Sequence, residues 1–199
     1  MFKFQNISNL KPYEYFHDCF ENAIKNKQRI IEAMVVSSFS KRLNQTNSRF
    51  VNLKIIKDKD FIFFSNYESL KAQDFKDNDR ISCLLHWDSI KLQIRMNGTV
   101  KKTSQEFSNN YFYNREISKN ILAASSNQSR IVKSYEEVVK KYNSVKKELK
   151  NLKRPDYWGG YSFRPYYFEF WEGHDYRINK RKVFSLNKDS SWKEYYLEP

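Results

Sequence analysis

Near the start of the chain, apolar residues recur at intervals of three and four. Phe16, Cys19, Phe20, Ala23 and Ile24 follow this spacing, which predicts an amphipathic helix over residues 12–27. Pro12 is compatible with the first turn of that helix. One apolar face on a helix of this length indicates that it packs on the outside of a sheet.

Short runs of β-branched and aromatic residues predict the strands. The runs are residues 33–38, 50–56, 61–65, 80–86, 91–100, 166–171, 182–186 and 192–197. Polar residues 57–60 separate the second and third runs, and this pattern is typical of a hairpin.

Further helices are predicted between and after these strands. They are residues 69–75, 104–114, 117–124 and a longer helix from Ser134, where Glu137 is spaced for a capping box. An apolar stripe follows the longer helix, formed by Tyr135, Val138, Val139, Tyr142, Val145 and Leu149. Antiparallel strands with inserted helices predict an α+β fold, a β-barrel with peripheral helices. We expect one domain over residues 1–199, with a helix at 12–27, inserted helices at about 104–150 and final strands within 158–199.

Composition narrows the class of protein. The 199 residues are 40% hydrophobic and 17% aromatic, too rich in apolar groups for a disordered chain. No run approaches the roughly 20 apolar residues of a membrane span, and the N-terminus lacks the order of a signal peptide, so a cytoplasmic protein is expected. Cys19 and Cys83 suit reduced core positions. Since the histidines also lack a ligand pattern, no metal is predicted.

The net charge of +13 has two interpretations. Clustered cations favour nucleic acid, but much of the excess is lysine on one predicted helix and its exit, and such runs usually form a solvated face. These residues are Lys140, Lys141, Lys146, Lys147, Lys150, Lys153 and Arg154. We therefore expect no nucleic acid partner, whereas a small phosphorylated ligand would be attracted by the same field.

Glycines and tryptophans are concentrated in residues 154–181, which hold three of the four glycines and two of the four tryptophans. Glycines and prolines beside aromatics and arginines indicate a constructed binding site. Together with earlier blocks this segment resembles the pyridoxamine 5′-phosphate oxidase family over about residues 33–199. The blocks, in family order, are SRFVNLK, FIFFSNYESLKA, NDRISCLLHW, LQIRMNG, NQS and WGGYSFRPYYFEFWEG…RINKR. The resemblance implies an FMN-binding split β-barrel with Greek-key-like strands, which forms a homodimer with FMN at the interface.

The resemblance also implies a set of FMN contacts. The matching residues are Arg49, Val51, Lys54, Phe64, Ser65, Lys71, Gln93, Gln128, Ser129, Trp171 and Arg181. Arg49 and Lys71 would pair with the flavin phosphate, helped by Ser65. Trp171 and Arg181 would come from the partner subunit. A dianionic phosphate needs convergent cations and donors, and the flavin ring needs flat apolar walls, so these residue types suit the ligand.

For the substrate phosphate, the resemblance implies Lys54, Tyr111 and Arg115, with Lys119 at the position of a family serine. Tyr111 and Arg115 are four residues apart, which predicts that they share one face of a helix. Arg177 is the candidate catalytic residue that positions the reacting carbon, and Asn179 is its hydrogen-bonding auxiliary. The implied reaction oxidises a phosphorylated pyridine amine or alcohol to pyridoxal 5′-phosphate, with oxygen as electron acceptor.

Several positions depart from the family pattern. Asn179 replaces a histidine and Lys180 an aspartate, while Leu70 and Leu92 replace basic residues. Asparagine does not titrate near neutral pH, so we expect altered specificity or rate. The two leucines should weaken FMN binding, and MFKFQNISNL has no match to the family's active-site lid. These departures keep two alternatives open: a split-barrel flavin oxidoreductase with a different substrate, as in phenazine pathways, and a flavin-binding or nucleic-acid-binding protein without catalysis.

Overall fold

The structure, a computed structural model, describes residues 1–148 and 152–199. Its strands are β1 Lys3–Gln5, β2 Ala33–Ser40, β3 Gln45–Lys57, β4 Asp60–Asn66, β5 Arg80–Trp87, β6 Leu92–Lys102, β7 Trp158–Glu172, β8 Lys180–Leu186 and β9 Trp192–Leu197. Its α-helices are α1 Lys11–Lys25, α2 Leu70–Asp77, α3 Gln105–Tyr113, α4 Ile117–Ser125 and α5 Tyr135–Lys147. None of the described helices is long and apolar enough to cross a membrane.

Strands β2 to β7 close into a six-stranded antiparallel barrel. Their order is β3-β2-β5-β6-β7, and β4 closes the ring by pairing with both β3 and β7. Strand β1 lies parallel to β3 outside the ring, and β8 and β9 extend the sheet beyond β7. The predicted α+β split barrel with peripheral helices is confirmed.

Strand β7 belongs to both the barrel and its extension. Its first half pairs with β4 from Trp158, and its second half pairs with β8 up to Glu172. Strand β6 pairs with both halves through a bulge at Asn97/Gly98. A Cβ on Gly98 would lie 2.3 Å from the Arg164 carbonyl oxygen, so only glycine fits where the strands approach this closely.

The barrel interior and α1 form the main hydrophobic core. Phe16 of α1 packs edge-on against Phe61 and near Trp87, all almost fully buried. Phe2, just before β1, packs on Phe20 of the same helix. The N-terminal segment therefore forms part of this core and an extra strand that the sequence did not predict.

Several predicted boundaries and one predicted cap are wrong. Strand β3 begins at Gln45 and β7 at Trp158, before the predicted starts at residues 50 and 166. The Ser134 side chain makes no cap hydrogen bond to α5, and the Glu137 carboxylate accepts from the Lys133 amide at 3.4 Å. No residue of α5 is buried, so its apolar stripe packs only partly. The predicted contributions of Leu149 and Lys150 lie outside the described residues.

Candidate active site

One open cleft, called here the main cleft, lies between the barrel and helices α2 to α4. It measures about 440 Å³, within the range of small-molecule sites. It brings together most of the predicted contacts: Val51, Lys54, Phe64, Ser65, Lys71, Tyr111, Arg115, Lys119 and Gln128.

Lys71 is the most buried cation of the main cleft, with 8% of its surface exposed. Its ammonium donates to the Ser65 hydroxyl at 2.8 Å, the Ser69 hydroxyl at 3.0 Å and Gln128 Oε1 at 3.2 Å. Within the described residues no carboxylate approaches this ammonium to the 4.0 Å of an ion pair. Burial, and then the nearby Arg49, lower the pKa of Lys71 to about 8. A buried cation with only neutral partners favours an anionic ligand.

Arg49 lies behind Lys71 and does not line the main cleft. Its guanidinium donates to the Ser38 hydroxyl at 2.7 Å and lies 3.8 Å from the Asp74 carboxylate, which also accepts from Ser38. Arg49 therefore contributes positive charge behind Lys71, while its direct contacts are to the Val36 carbonyl, Ser38 and Asp74.

Lys54 reaches the cleft from an irregular point in β3. The β3–β4 register shifts between Leu53 and Ile55, so Lys54 occupies a bulge, a device that redirects side chains. Burial lowers the pKa of Lys54, the nearby Glu32 opposes this, and the like charges of Lys119 and Arg115 add to it.

Aromatic rings form one wall of the main cleft. The Tyr111 ring stacks on Phe64 at 3.7 Å between centroids, and Trp158 lies nearly parallel to Phe64 at 5.2 Å. Flat apolar walls of this kind suit a planar ring system.

Arg115 lies outside the helix that was predicted to carry it. Helix α3 ends at Tyr113, so Arg115 occupies the bend before α4, and the prediction that it shares a helix face with Tyr111 is wrong. Both residues nevertheless line the main cleft. The Arg115 guanidinium lies over the Trp158 ring at 3.9 Å from its centroid. Burial lowers the pKa of Arg115 to about 10, well above neutral pH, so the side chain remains a cation.

Trp171, Arg177 and Asn179 lie apart from the main cleft and line a second cavity with His86 and His174. Arg177 adopts a left-handed backbone conformation with φ of 59°. Asn179 Oδ1 accepts from the His174 amide at 3.0 Å, so this side chain holds its own loop. Residues predicted as one site are therefore divided within a single chain.

Arg181 belongs to an ion cluster around the buried Glu169 carboxylate, which we call the Glu169 cluster and which comprises Glu169, Arg95, Tyr167 and Arg181. Arg181 lies 2.8 Å from the Glu169 carboxylate, which Arg95 and the Tyr167 hydroxyl also contact. Burial alone would raise the pKa of Glu169, but hydrogen bonds from Tyr167 and Arg181 and the two positive charges lower it. Much of the hydrogen-bonding capacity of Arg181 is thus used inside the protein.

The structure also locates two further residues implied as FMN contacts, Gln93 and Ser129, and two departures from the family pattern, Leu92 and Lys180. Gln93 lies on β6 between His86 and Trp171 in register, outside the residues lining the main cleft. Ser129 is exposed beyond Gln128 with φ of 72°. Leu92 is buried in the core at 2% exposure, and the expectation that it weakens FMN binding stays a prediction. Lys180 pairs with Glu172 at 3.0 Å.

Three residues in or beside the main cleft were not predicted from the sequence: Trp158 lines the cleft, whereas Ser69 and Asn120 lie behind its cations. Trp158 belongs to the WGG block, and its ring forms the wall beneath Arg115. Ser69 holds Lys71, and Asn120 holds Arg115 through a hydrogen bond of 2.5 Å. An aromatic next to two glycines was an available signal for Trp158, whereas single serines and asparagines carry none.

Comparison with known proteins places this fold and site in a family. Residues 21–147 match the family model described as pyridoxamine 5′-phosphate oxidase, and residues 158–199 match the pyridoxine 5′-phosphate oxidase C-terminal dimerisation region. A pyridoxine/pyridoxamine 5′-phosphate oxidase from Colwellia psychrerythraea is 33% identical, covering 96% of this chain and 88% of the relative. One from Hydrogenovibrio crunogenus is 35% identical, covering 94% and 88%.

Two solved structures share the fold. PhzG from Burkholderia lata, in complex with tetrahydrophenazine-1-carboxylic acid, has a TM-score of 0.88 at 21% identity, covering 94% of this chain and 92% of its own. A pyridoxamine 5′-phosphate oxidase-related, FMN binding protein from Nostoc punctiforme has a TM-score of 0.72 at 10% identity, covering 92% of this chain and 97% of its own.

The fold and cleft thus define a split-barrel protein with a cationic, aromatic-walled site. The chain belongs to the pyridoxamine 5′-phosphate oxidase family.

Proposed function

We propose that this protein is an FMN-dependent oxidase that converts pyridoxamine 5′-phosphate or pyridoxine 5′-phosphate to pyridoxal 5′-phosphate with oxygen as electron acceptor. The observation that carries the proposal is the buried Lys71 ammonium, held by three neutral oxygens at the base of the main cleft. Family membership and the remaining cations of the cleft support it.

The residues present fit FMN. The phosphate would lie against Lys71, Ser65 and Gln128, with Arg49 behind them, because a buried dianion requires converging cations and hydroxyl or amide donors. Val51 and Phe64 would contact the ring system, with Lys54 near its polar atoms. When bound, FMN accepts a hydride from the substrate and passes the electrons to oxygen.

The chain's own residues would hold the substrate against that cofactor. Lys54, Arg115 and Lys119 provide positive charge on one side of the main cleft, and Tyr111 adds a hydroxyl. Burial raises the pKa of Tyr111, so its hydroxyl keeps its proton and can donate to a phosphate. Arg177 would orient the reacting carbon, and the aromatic wall would keep water from one face of the site.

A homodimer would reunite the two halves of the site. Trp158 and Trp171 lie at opposite ends of β7, and thirteen residues of strand rise by roughly 40 Å, too far for both to contact one small ligand. An apolar groove lined by Ile30, Val35, Phe50 and Leu84 joins the two, sharing Phe50 with the main cleft and His86 with the second cavity. A second copy seated on this groove would bring Trp171 of the partner subunit to the main cleft.

A second candidate is a split-barrel flavin oxidoreductase with a different substrate. Asn179 favours it, because its amide is engaged by the His174 backbone and cannot titrate like the family's histidine. The two candidates agree on the cofactor and differ in what reduces it.

The decisive experiment uses purified protein containing FMN under anaerobic conditions. Addition of pyridoxamine 5′-phosphate should bleach the flavin absorbance, and oxygen should restore it with release of pyridoxal 5′-phosphate. Bound FMN that neither pyridoxamine 5′-phosphate nor pyridoxine 5′-phosphate reduces would contradict the oxidase and leave the second candidate.

Subunit complementation tests the shared site. Lys71→Met and Arg177→Ala should each be inactive alone, yet their co-expression should restore activity, because one site of each heterodimer would contain two intact halves. Inactive heterodimers, verified with two affinity tags, would contradict a site built from both subunits.

A further inference from the structure

The surroundings of Arg115 contain one residue whose role extends beyond the predicted contacts. Asn120 is 4% exposed at the start of α4. Its Oδ1 accepts from Arg115 Nε at 2.5 Å, and its Nδ2 donates to the Phe112 carbonyl at 2.8 Å. Because Phe112 is fully buried, the amide connects Arg115 to the packed interior of the protein.

The other contacts of Arg115 are also uncharged. Arg115 Nη2 donates to the Lys119 carbonyl at 2.9 Å, and the guanidinium lies over the Trp158 ring. Within the described ranges no carboxylate forms an ion pair with Arg115, and the neighbouring Glu116 pairs with Lys119 at 3.0 Å. Two of the five guanidinium N–H groups are used, so three remain for a ligand.

We propose that Asn120 is a positioning residue that fixes Arg115 for the substrate anion without neutralising its charge. An aspartate of the same shape would also accept from the guanidinium, but it could not donate to the Phe112 carbonyl, and its negative charge would form an ion pair with Arg115 and compete with the substrate phosphate. The inference rests on the proposed function, because it concerns how the same cleft recognises a phosphorylated substrate.

Two substitutions separate position from charge. In Asn120→Ala the guanidinium keeps its charge but loses its anchor, so KM for pyridoxamine 5′-phosphate should rise about tenfold with kcat little changed. In Asn120→Asp the acceptor for Arg115 Nε remains, the hydrogen bond to the Phe112 carbonyl is lost and the guanidinium charge is neutralised, so KM should rise further, on the order of 100-fold. Asn114→Asp is the matched control. Among the residues that the structure describes, its side-chain amide hydrogen-bonds only to the Asn110 carbonyl, so the same change nearby should leave KM within about twofold of the unmodified protein.

A readout that is independent of turnover comes from NMR of the arginine side chains. The hydrogen-bonded Arg115 Nε–H, assigned by its loss in Arg115→Lys, should exchange slowly and shift when inorganic phosphate is titrated. The signal should be lost in Asn120→Ala. In Asn120→Asp it should persist but respond much less to phosphate.

The outcomes distinguish the inference from the proposed function. An unmodified protein that does not oxidise pyridoxamine 5′-phosphate, but shows this NMR pattern, would overturn the oxidase and retain the role of Asn120. An unchanged KM and a protected Nε–H in Asn120→Ala would overturn the positioning role. An Asn120→Asp variant with ordinary phosphate affinity would overturn the requirement for a neutral anchor.

Discussion

The main cleft and the Glu169 cluster use cations in opposite ways. In the cleft, Lys71 and Arg115 are held by hydroxyl, amide and carbonyl oxygens, and no described carboxylate pairs with them. In the cluster, Arg95 and Arg181 both contact the buried Glu169 carboxylate. Positive charge is therefore available to a ligand in the first region and stabilises the protein in the second.

The largest expected effect is on FMN binding in the main cleft. Lys71→Met should weaken FMN binding at least on the order of 100-fold, because a charge-assisted contact to phosphate is lost. Fluorescence titration of the apoprotein with FMN measures the affinity. Lys76→Met, on an exposed position of the same helix, is the control and should bind FMN normally. Equal affinities in both variants would mean that Lys71 does not contact the cofactor.

The Glu169 cluster should respond mainly in stability. Glu169→Gln removes a buried carboxylate and leaves two arginines close together, so the free energy of unfolding should fall by about 2 kcal/mol. Urea denaturation measures this free energy. The control is Glu172→Gln, on the same strand with a partly exposed carboxylate, which should lower the free energy of unfolding by less. If Glu169→Gln instead abolished FMN binding and left the free energy of unfolding unchanged, the conclusion that the Glu169 cluster serves stability and the main cleft serves binding would be wrong.

The pH dependence of stability gives a smaller effect of defined sign. Lys71 has a pKa of about 8 in the folded apoprotein, below its ordinary value near 10.5, so the unfolded chain holds more protons between these values. The contribution of Lys71 to stability should therefore rise between about pH 8 and pH 10, by on the order of 1 kcal/mol per pH unit at most. The contribution of Lys71 is the difference in free energy of unfolding between the unmodified apoprotein and Lys71→Met, measured as a function of pH. A difference that does not change with pH would contradict the lowered pKa.

The smallest effect concerns Leu70, which is half exposed at the first residue of α2. Leu70→Lys restores a basic residue beside Lys71 and should strengthen FMN binding by about threefold, since an added surface charge contributes little. Leu70→Gln has similar length without charge and should leave the affinity unchanged. Equal gains in both variants would attribute the effect to polarity, not charge.

Sequence patterns predicted most of the barrel because alternation and aromatic runs mark strands that are half buried. They failed at WGG, where two glycines resemble a turn. In the structure Gly159 and Gly160 lie inside β7, and a Cβ would meet Tyr67 Oη at 2.2 Å and Thr103 Oγ1 at 2.6 Å, respectively. These glycines permit close packing of the strand, a requirement set by distant residues.

Nine of the site residues that the family resemblance implied line one cavity, the main cleft. It could not show what each cation is paired with. Glu169 meets Arg181 through strand register, and Asn120 meets Arg115 only because the chain bends between α3 and α4. Partners of this kind depend on tertiary geometry, so single residues in the sequence do not reveal them.

The unpaired ammonium of Lys71 also has a consequence for protein turnover. Without an anion, three hydrogen bonds offset only part of the cost of burying this charge, and an anion bound only by the folded state shifts the equilibrium away from open forms. Proteases act on open forms, so the apoprotein should be degraded faster than the loaded protein. The amount of this protein in a cell would then follow the supply of its cofactor.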